Sequence, residues 1–395
     1  MIGKYPYYIP ANNEVIGLGY HAASGLMLAA VGRIRPGVPS TLNAFCMEDY
    51  HKGTSPHLWG FPNYKMNTLQ ASFYDEQIRN IRSLNTSIKY SAGYFKYFFG
   101  DQHEMDLGRR DITLNRPYNS FQDFTIIHTF RPIVDDRCNR LFIIDNGVLN
   151  YGLNLRYNVQ NPAIVVFQLP TGRCSKGPFP VLRRIEIPSY MWKEPIGFAY
   201  ITLDYQKRGS CDDLFLYITN TFDTTITVYD YKRGTFWKFS DPSMRPVYAE
   251  SLMTFGNDFQ YINAIGIMDI VLGWPDKDGN RNAYYTPGTS LAQYVVSTKL
   301  LKNSKRASYN YNPEEFTLIG YRGCGTENFL QTIDLSTGVI FFAQMQSKKL
   351  LCWNIQYPYN PDTIGVLYES DALQFVSSIN IDAEGYLCEC VEGVG

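Results

Sequence analysis

Apolar residues along this chain come in short runs closed by Gly, Asp or Asn, and long stretches with a helical period are scarce. Runs of this kind, separated by turn residues, read as β-strands. One unit recurs: an apolar strand, an Asp-bearing turn, then a second apolar strand with aromatics. It appears as Ile133-Val134-Asp135 followed by Leu141-Phe142-Ile143-Ile144, and as Ile201-Thr202-Leu203-Asp204 followed by Leu214-Phe215-Leu216-Tyr217-Ile218. Ile267-Met268-Asp269 with Ala283-Tyr284-Tyr285, Thr332-Ile333-Asp334 with Val339-Ile340-Phe341-Phe342, and Asn380-Ile381-Asp382 with Gly385-Tyr386-Leu387 continue the series. An N-terminal copy fits residues 17–21 and 25–29, which makes six.

The acids Asp135, Asp204, Asp269, Asp334 and Asp382 lie 69, 65, 65 and 48 residues apart. Blades of four strands take about 40–50 residues, more when their loops are long. Most copies continue into further apolar runs, at residues 162–169, 225–231, 293–297 and 350–354. Each copy therefore reads as one four-stranded blade. Radial stacking buries both faces of sheets that could not bury them alone and leaves only short protected edges. The expected fold is all-β, a six-bladed β-propeller with its last blade incomplete. It is expected as a single domain over 1–395, carrying an insertion at about 48–130. A β-sandwich or barrel with coincidental spacing is the alternative.

Aromatic residues at 15% and hydrophobic residues at 45% suit a large β core. The formal net charge is -1 with charges interspersed, so nucleic-acid binding has little electrostatic support. No apolar run has the roughly 18 residues of a membrane span. The start, Met1-Ile2-Gly3-Lys4-Tyr5-Pro6, is not a signal peptide. Read literally it points to the cytoplasm; the other reading is that the natural N-terminus is missing. The eight cysteines form no CxxC pair, which leaves structural disulfides and reduced core thiols both open.

Several stretches, in order over residues 33–387, resemble the yellow / major royal jelly family. The clearest is 131–147, Arg-Pro-Ile-Val-Asp-Asp-Arg-Cys-Asn-Arg-Leu-Phe-Ile-Ile-Asp-Asn-Gly, where Phe142 stands in place of the usual Trp. Others are Arg33 with Gly37, Pro39, Thr41 and Leu42, Gly209-Ser210-Cys211, Tyr217-Ile218-Thr219-Asn220, and Cys352-Trp353-Asn354. The resemblance implies a secreted six-bladed propeller, extracellular, with a disulfide between Cys138 and Cys211. It also implies that Cys352 pairs with a cysteine near the C-terminus. The match breaks after Leu387, where Cys388-Glu389-Cys390 replaces the family's Trp and Ser-Asn, so truncation at both ends is expected. Asn85-Thr86-Ser87 is an N-glycosylation sequon suited to a surface loop.

No catalytic spacing accompanies the five histidines His21, His51, His57, His103 and His128, so surface or packing roles are expected of them. Residues 276–280 resemble the start of a calcium loop but lack its later Glu, and read as a turn. Cys388 and Cys390 are spaced as soft-metal ligands would be, although an out-of-frame tail accounts for them better. No cofactor or metal is expected. The recurrent acids are expected to close turns, the alternative being a channel position where an acid meets a cationic amine.

Some salivary members of the family bind biogenic amines through a Thr, an Asn and a Phe at the last repeat. Ser377 stands at the Thr position, and the other two positions fall beyond the match. The resemblance thus implies a non-catalytic binding or structural protein of cuticle, pigmentation or secretion, with a small amine or catechol as possible partner. The alternative is a dopachrome-converting enzyme of melanin synthesis, for which no acid–base pair is identifiable in the sequence.

Overall fold

The computed structural model describes residues 8–50, 55–69, 110–111, 124–149, 157–207, 209–255, 259–262, 264–308, 314–323, 325, 327–373, 375–382 and 385–392. The chain divides into two compact units, Met1–Ile187 with Val394–Gly395, and Pro188–Gly393.

The first unit holds two four-stranded antiparallel blades. Blade 1 is β1 (Val15–His21), β2 (Leu26–Val31), β3 (Leu42–Cys46) and β4 (Trp59–Gly60). A small three-stranded sheet contains β5 (Arg110–Asp111), β8 (Val148–Leu149) and β9 (Tyr157–Asn158). Blade 2 is β6 (Ile133–Asp135), β7 (Arg140–Asp145), β10 (Ala163–Gln168) and β11 (Val181–Glu186). Alternate residues of facing strands share one core: Leu26 and Leu28, Leu42 and Ala44, Leu141 and Ile143, Val165 and Phe167. The period of two sends these side chains to one side of each sheet. Burying each stabilises by roughly 1.5–3 kcal/mol for the larger ones. β1 runs close against the chain entering blade 2. A Cβ on Gly17 would lie 2.3 Å from the Phe130 carbonyl oxygen, so only glycine admits that approach.

The second unit holds three such blades. Blade 3 is β12 (Phe198–Tyr205), β13 (Leu214–Asn220), β14 (Thr225–Asp230) and β15 (Thr235–Ser240). A hairpin of β16 (Leu252–Phe255) and β17 (Phe259–Ile262) precedes blade 4. Blade 4 is β18 (Ile267–Pro275), β19 (Arg281–Pro287), β20 (Ala292–Ser297) and β21 (Phe316–Tyr321). Blade 5 is β22 (Gln331–Asp334), β23 (Val339–Gln344), β24 (Lys349–Asn354) and β25 (Ile364–Glu369). β26 (Phe375–Ile381) and β27 (Leu387–Glu392) pair with each other and, among the described residues, with no other strand.

Blade 4 shows why its strands read as nearly continuous apolar runs. Ile270, Leu272, Ala283 and Tyr285 pack in the core formed with blade 3. The intervening Val271 and Tyr284 pack in the core formed with blade 5. Both faces are buried, so both sets must be apolar.

The architecture is an all-β propeller arrangement, and the six-blade expectation is corrected. Among the described residues there are five four-stranded blades, and the sixth copy is the two-stranded β26–β27 sheet, close to the incomplete blade anticipated. Among the described residues after β25 there are two strands. Most of the anticipated insertion lies outside the described residues.

Candidate functional site

The recurrent acids divide by role. Asp334 closes its turn as anticipated, accepting bonds from Ser336 N–H (2.8 Å), Ser336 Oγ (2.9 Å) and Thr337 Oγ1 (2.6 Å). Those donors hold its carboxyl below the usual range. Asp382 accepts the Tyr386 N–H at 2.8 Å in the same way. In blade 4 the turn acid is Asp276, whose Oδ1 accepts the N–H groups of Asp278 and Asn280, each at 2.8 Å. The 276–280 segment is therefore a hairpin turn between β18 and β19.

Asp135, Asp204 and Asp269 do something else. Asp135 faces Arg140 across the β6–β7 pair and takes its Nε at 3.2 Å, both side chains buried. Asp204 has no solvent-exposed side-chain surface and sits among Arg281 Nε (3.4 Å), Lys302 Nζ (3.1 Å) and the donating Tyr217 hydroxyl (2.9 Å). Burial and the adjacent carboxylate raise the Tyr217 pKa well above that of a free tyrosine, so it stays a donor. The cluster fastens blade 3 to blade 4. Asp269 lies within β18, two residues from its start, where its Oδ2 accepts the Gln331 N–H of blade 5 at 2.7 Å. Blades 3 and 4 are also tied by hydroxyls: Thr202, Thr219 and Thr221 donate to the carbonyls of Ile270, Met268 and Ile267. The inner strands of neighbouring blades have no ladder between them, so side chains satisfy their backbone groups.

In the first unit the buried polar centre is a cation. Arg33 donates to the carbonyls of Val38, Pro39, Ile126, Ile127 and Asn67. Its N–H donates to His128 Nδ1 at 3.1 Å. Burial, reinforced by the Arg33 charge, pulls the His128 pKa down to about 3, so the ring is neutral. Asp145 gathers the N–H groups of Ile127, His128 and Gly147, each at 3.0 Å. Its burial raises its pKa, and those donors pull the other way. His21 is buried between Ser24 Oγ (2.8 Å) and Asn139 Oδ1 (3.0 Å). The Asn oxygen can only accept, so Nε2 carries the proton when the ring is neutral. His21 and His128 are thus packing groups, His57 is exposed, and His51 and His103 lie outside the described residues.

Cys46, at the end of β3, is bonded to Cys174 in the loop after β10. Two isolated cysteines 128 residues apart gave no local sign of this pairing. Cys138 and Cys211 are both disulfide-bonded. The expected pairing of Cys352 is corrected: its thiol is free and half-buried on β24. Cys388 and Cys390 lie on β27. Asn85 lies outside the described residues.

Ser377 is buried, with 5% of its surface exposed, on β26. The pairing with β27 slips between Val376 and Ser378, which leaves Ser377 as the residue out of register. Such irregularities re-aim a side chain and recur beside binding sites. β26 lies beside β22 of blade 5. The segment just before β22 holds two groups with no signal in the sequence. Glu327 is buried and accepts from Gln346 Nε2; Asn328 is wholly buried, and its Oδ1 accepts the Leu330 N–H at 3.1 Å.

Antiparallel four-stranded sheets in series, sharing cores face to face, define a β-propeller with buried polar fasteners. The chain belongs to the major royal jelly protein family: the family profile described as Major royal jelly protein matches residues 129–389. Yellow-related salivary protein SP03 of Phlebotomus perniciosus is 38% identical over 264 residues, covering 66% of this chain and 64% of that protein. Yellow-related salivary protein M10 of Phlebotomus duboscqi is 35% identical, covering 69% and 67%. The chain thus matches just under two thirds of the first of these relatives. L-dopachrome tautomerase yellow-f of Drosophila melanogaster is 27% identical over 383 residues, 96% of this chain and 74% of that protein. Among solved structures, virginiamycin B lyase from Staphylococcus aureus covers 97% of this chain and 79% of its own at 8% identity with a TM-score of 0.43, too slight to bear on function. No helix among the described residues is long and apolar enough to cross a membrane.

Proposed function

We propose that this chain is an extracellular binding protein of the yellow type, taking a small aromatic amine or catechol at the β22–β26 end of its second unit. The observation that carries the reading is its 38% identity to a salivary yellow-related protein, above the 27% it shares with the tautomerase yellow-f. Ser377, buried and out of register on β26, supplies a hydroxyl to the ligand. Disulfide-bonded Cys46, Cys174, Cys138 and Cys211 suit an oxidising compartment. Cys138 and Cys211 are joined to each other, and Asn85 carries a glycan. The biological setting is cuticle, pigmentation or secretion. Titration calorimetry of the purified protein with a panel of catechol and indole amines tests the reading: saturable heat supports it, and no heat with any of them removes it.

A dopachrome-converting enzyme is the second reading, favoured by the span of similarity to yellow-f. Glu14, before β1, adds a group suited to moving protons, since burial pushes its carboxyl up to about 7. Dopachrome decay followed with purified protein decides between them. A rate equal to that of buffer eliminates the enzyme.

A further inference from the structure

Between β20 and β21 of blade 4 a helical turn, Thr298–Leu301, is followed by a connection over residues 302–315. That connection carries the adjacent basic pair Lys305-Arg306. Asn303, Ser304 and Lys305 are exposed. Their turn is closed by bonds of its own: the Arg306 N–H donates to the Asn303 carbonyl at 3.0 Å, and the Lys305 N–H to Asn303 Oδ1 at 3.2 Å. Opening it breaks no pairing between β20 and β21, which starts at Val296 and Phe316.

Other adjacent basic pairs among the described residues sit differently. Arg183 and Arg184 are on β11, paired with Val166 and Val165. Lys232 and Arg233 close the β14–β15 turn, where Asp230 accepts both of their N–H groups, at 3.1 and 2.8 Å, and the Arg233 guanidinium. Lys348 leads into Lys349 on β24, which is paired with Gln344 and Glu369. An endoprotease takes its substrate as an extended segment. Each of those pairs is offered only if a sheet or hairpin comes apart, whereas 303–307 needs one surface turn to straighten.

The flanks of that turn are anchored. Leu301 is buried, and its carbonyl accepts Trp237 Nε1 at 2.7 Å. Phe316 packs against Phe239 in the core of blades 3 and 4. A cut between these anchors leaves both ends held, with the β20–β21 ladder joining the pieces. Two contacts oppose straightening: the Arg306 guanidinium pairs with the Glu315 carboxylate, and Ala307 leans on the same core. The Arg306 side chain is 39% exposed even so, which makes the ion pair a weak latch.

We propose that the Arg306–Ala307 bond is a cleavage site for a paired-basic endoprotease, restrained by Glu315. Water splits the amide, Arg306 keeps the new carboxylate and Ala307 the new ammonium, and the two pieces stay assembled. The site lies on the turn and is independent of what the blades bind, so it goes beyond the amine-binding reading and does not rest on it.

The test exposes the folded protein to a purified paired-basic endoprotease, read by intact mass and N-terminal sequencing. The wild type is expected to be cut first at Arg306–Ala307, giving a new chain that starts Ala307-Ser308, and the pieces to co-elute in gel filtration. Lys305→Gln alters an exposed side chain and is expected to abolish the cut with the fold intact. Glu315→Gln frees Arg306 and is expected to speed cutting by about twofold to fivefold, since cutting follows the population of the open turn. A first cut elsewhere, no cut in either the wild type or Glu315→Gln, or an equal rate in Lys305→Gln overturns the site. An unchanged rate in Glu315→Gln overturns the restraint, and pieces that separate overturn the assembled product.

Discussion

The two units bury charge in opposite ways. The first surrounds the Arg33 cation with five backbone carbonyls drawn from three segments outside the blade strands. The second surrounds the Asp204 anion with side chains, Arg281, Lys302 and Tyr217, standing on regular strands and a helical turn. The difference follows from what each must order. Residues 33–39, 67 and 126–127 have no ladder to satisfy their carbonyls, so a five-donor guanidinium does it. Blades 3 and 4 are regular ladders whose facing carbonyls on β18 are met by Thr202, Thr219 and Thr221, and the paired charges at Asp204 join the same two blades.

The largest effect is expected from the covalent fastener of the first unit. Replacing Cys46 and Cys174 by Ser opens a loop of 128 residues and is expected to cost about 4–5 kcal/mol in the chain-entropy model, measured by chemical denaturation. Peptide mapping without reductant is expected to recover this bridge and one joining Cys138 to Cys211, with Cys352 alkylated as a free thiol.

Arg33→Met is expected next, at about 3–5 kcal/mol, because it strands buried carbonyls. A loss below about 1 kcal/mol would mean that water replaces the guanidinium. Asp204→Ala is expected to cost about 3 kcal/mol, since it leaves two partly buried cations unbalanced. Asp204→Asn keeps a partner for Tyr217 and is expected to lose less. Equal losses in the two variants would show that packing rather than charge holds blades 3 and 4.

The blade strands were legible because blade packing imposes a period of two on one face or, in blade 4, a double-sided apolar run. The acids were only half legible. Ile-Met-Asp at 267–269 looks like a strand end, but β18 continues through Gly273, Trp274 and Pro275 before turning at Asp276. Local pattern cannot distinguish a mid-strand Asp that bonds the next blade from one that closes a turn. Gly338 shows the same limit. Its φ of +73° reads as a turn glycine, but a Cβ there would also lie 2.4 Å from the Trp274 ring of blade 4. Ser377 was singled out through resemblance, whereas the burial of Glu327 and Asn328 just before β22 has no signal in the sequence.

The smallest expected effect is a pH dependence. Burial raises the Glu14 carboxyl from 4.5 to about 7 in the folded protein. The folded state therefore binds a proton more tightly. Glu14 favours folding fully below about pH 4.5, and that advantage is lost as pH rises through about 7. Partial exposure screens the effect to about 1 kcal/mol. Glu14→Gln is expected to flatten the stability profile across that window, and an unchanged profile would assign the slope to another group.

Hydrogen exchange with and without saturating dopamine tests the central claim most directly. Peptides covering 327–334 and 375–381 are expected to slow on addition of ligand, while those covering 126–147, around the Arg33 centre, stay unchanged. Protection confined to the first unit, or none anywhere, would contradict a binding site at the β22–β26 end.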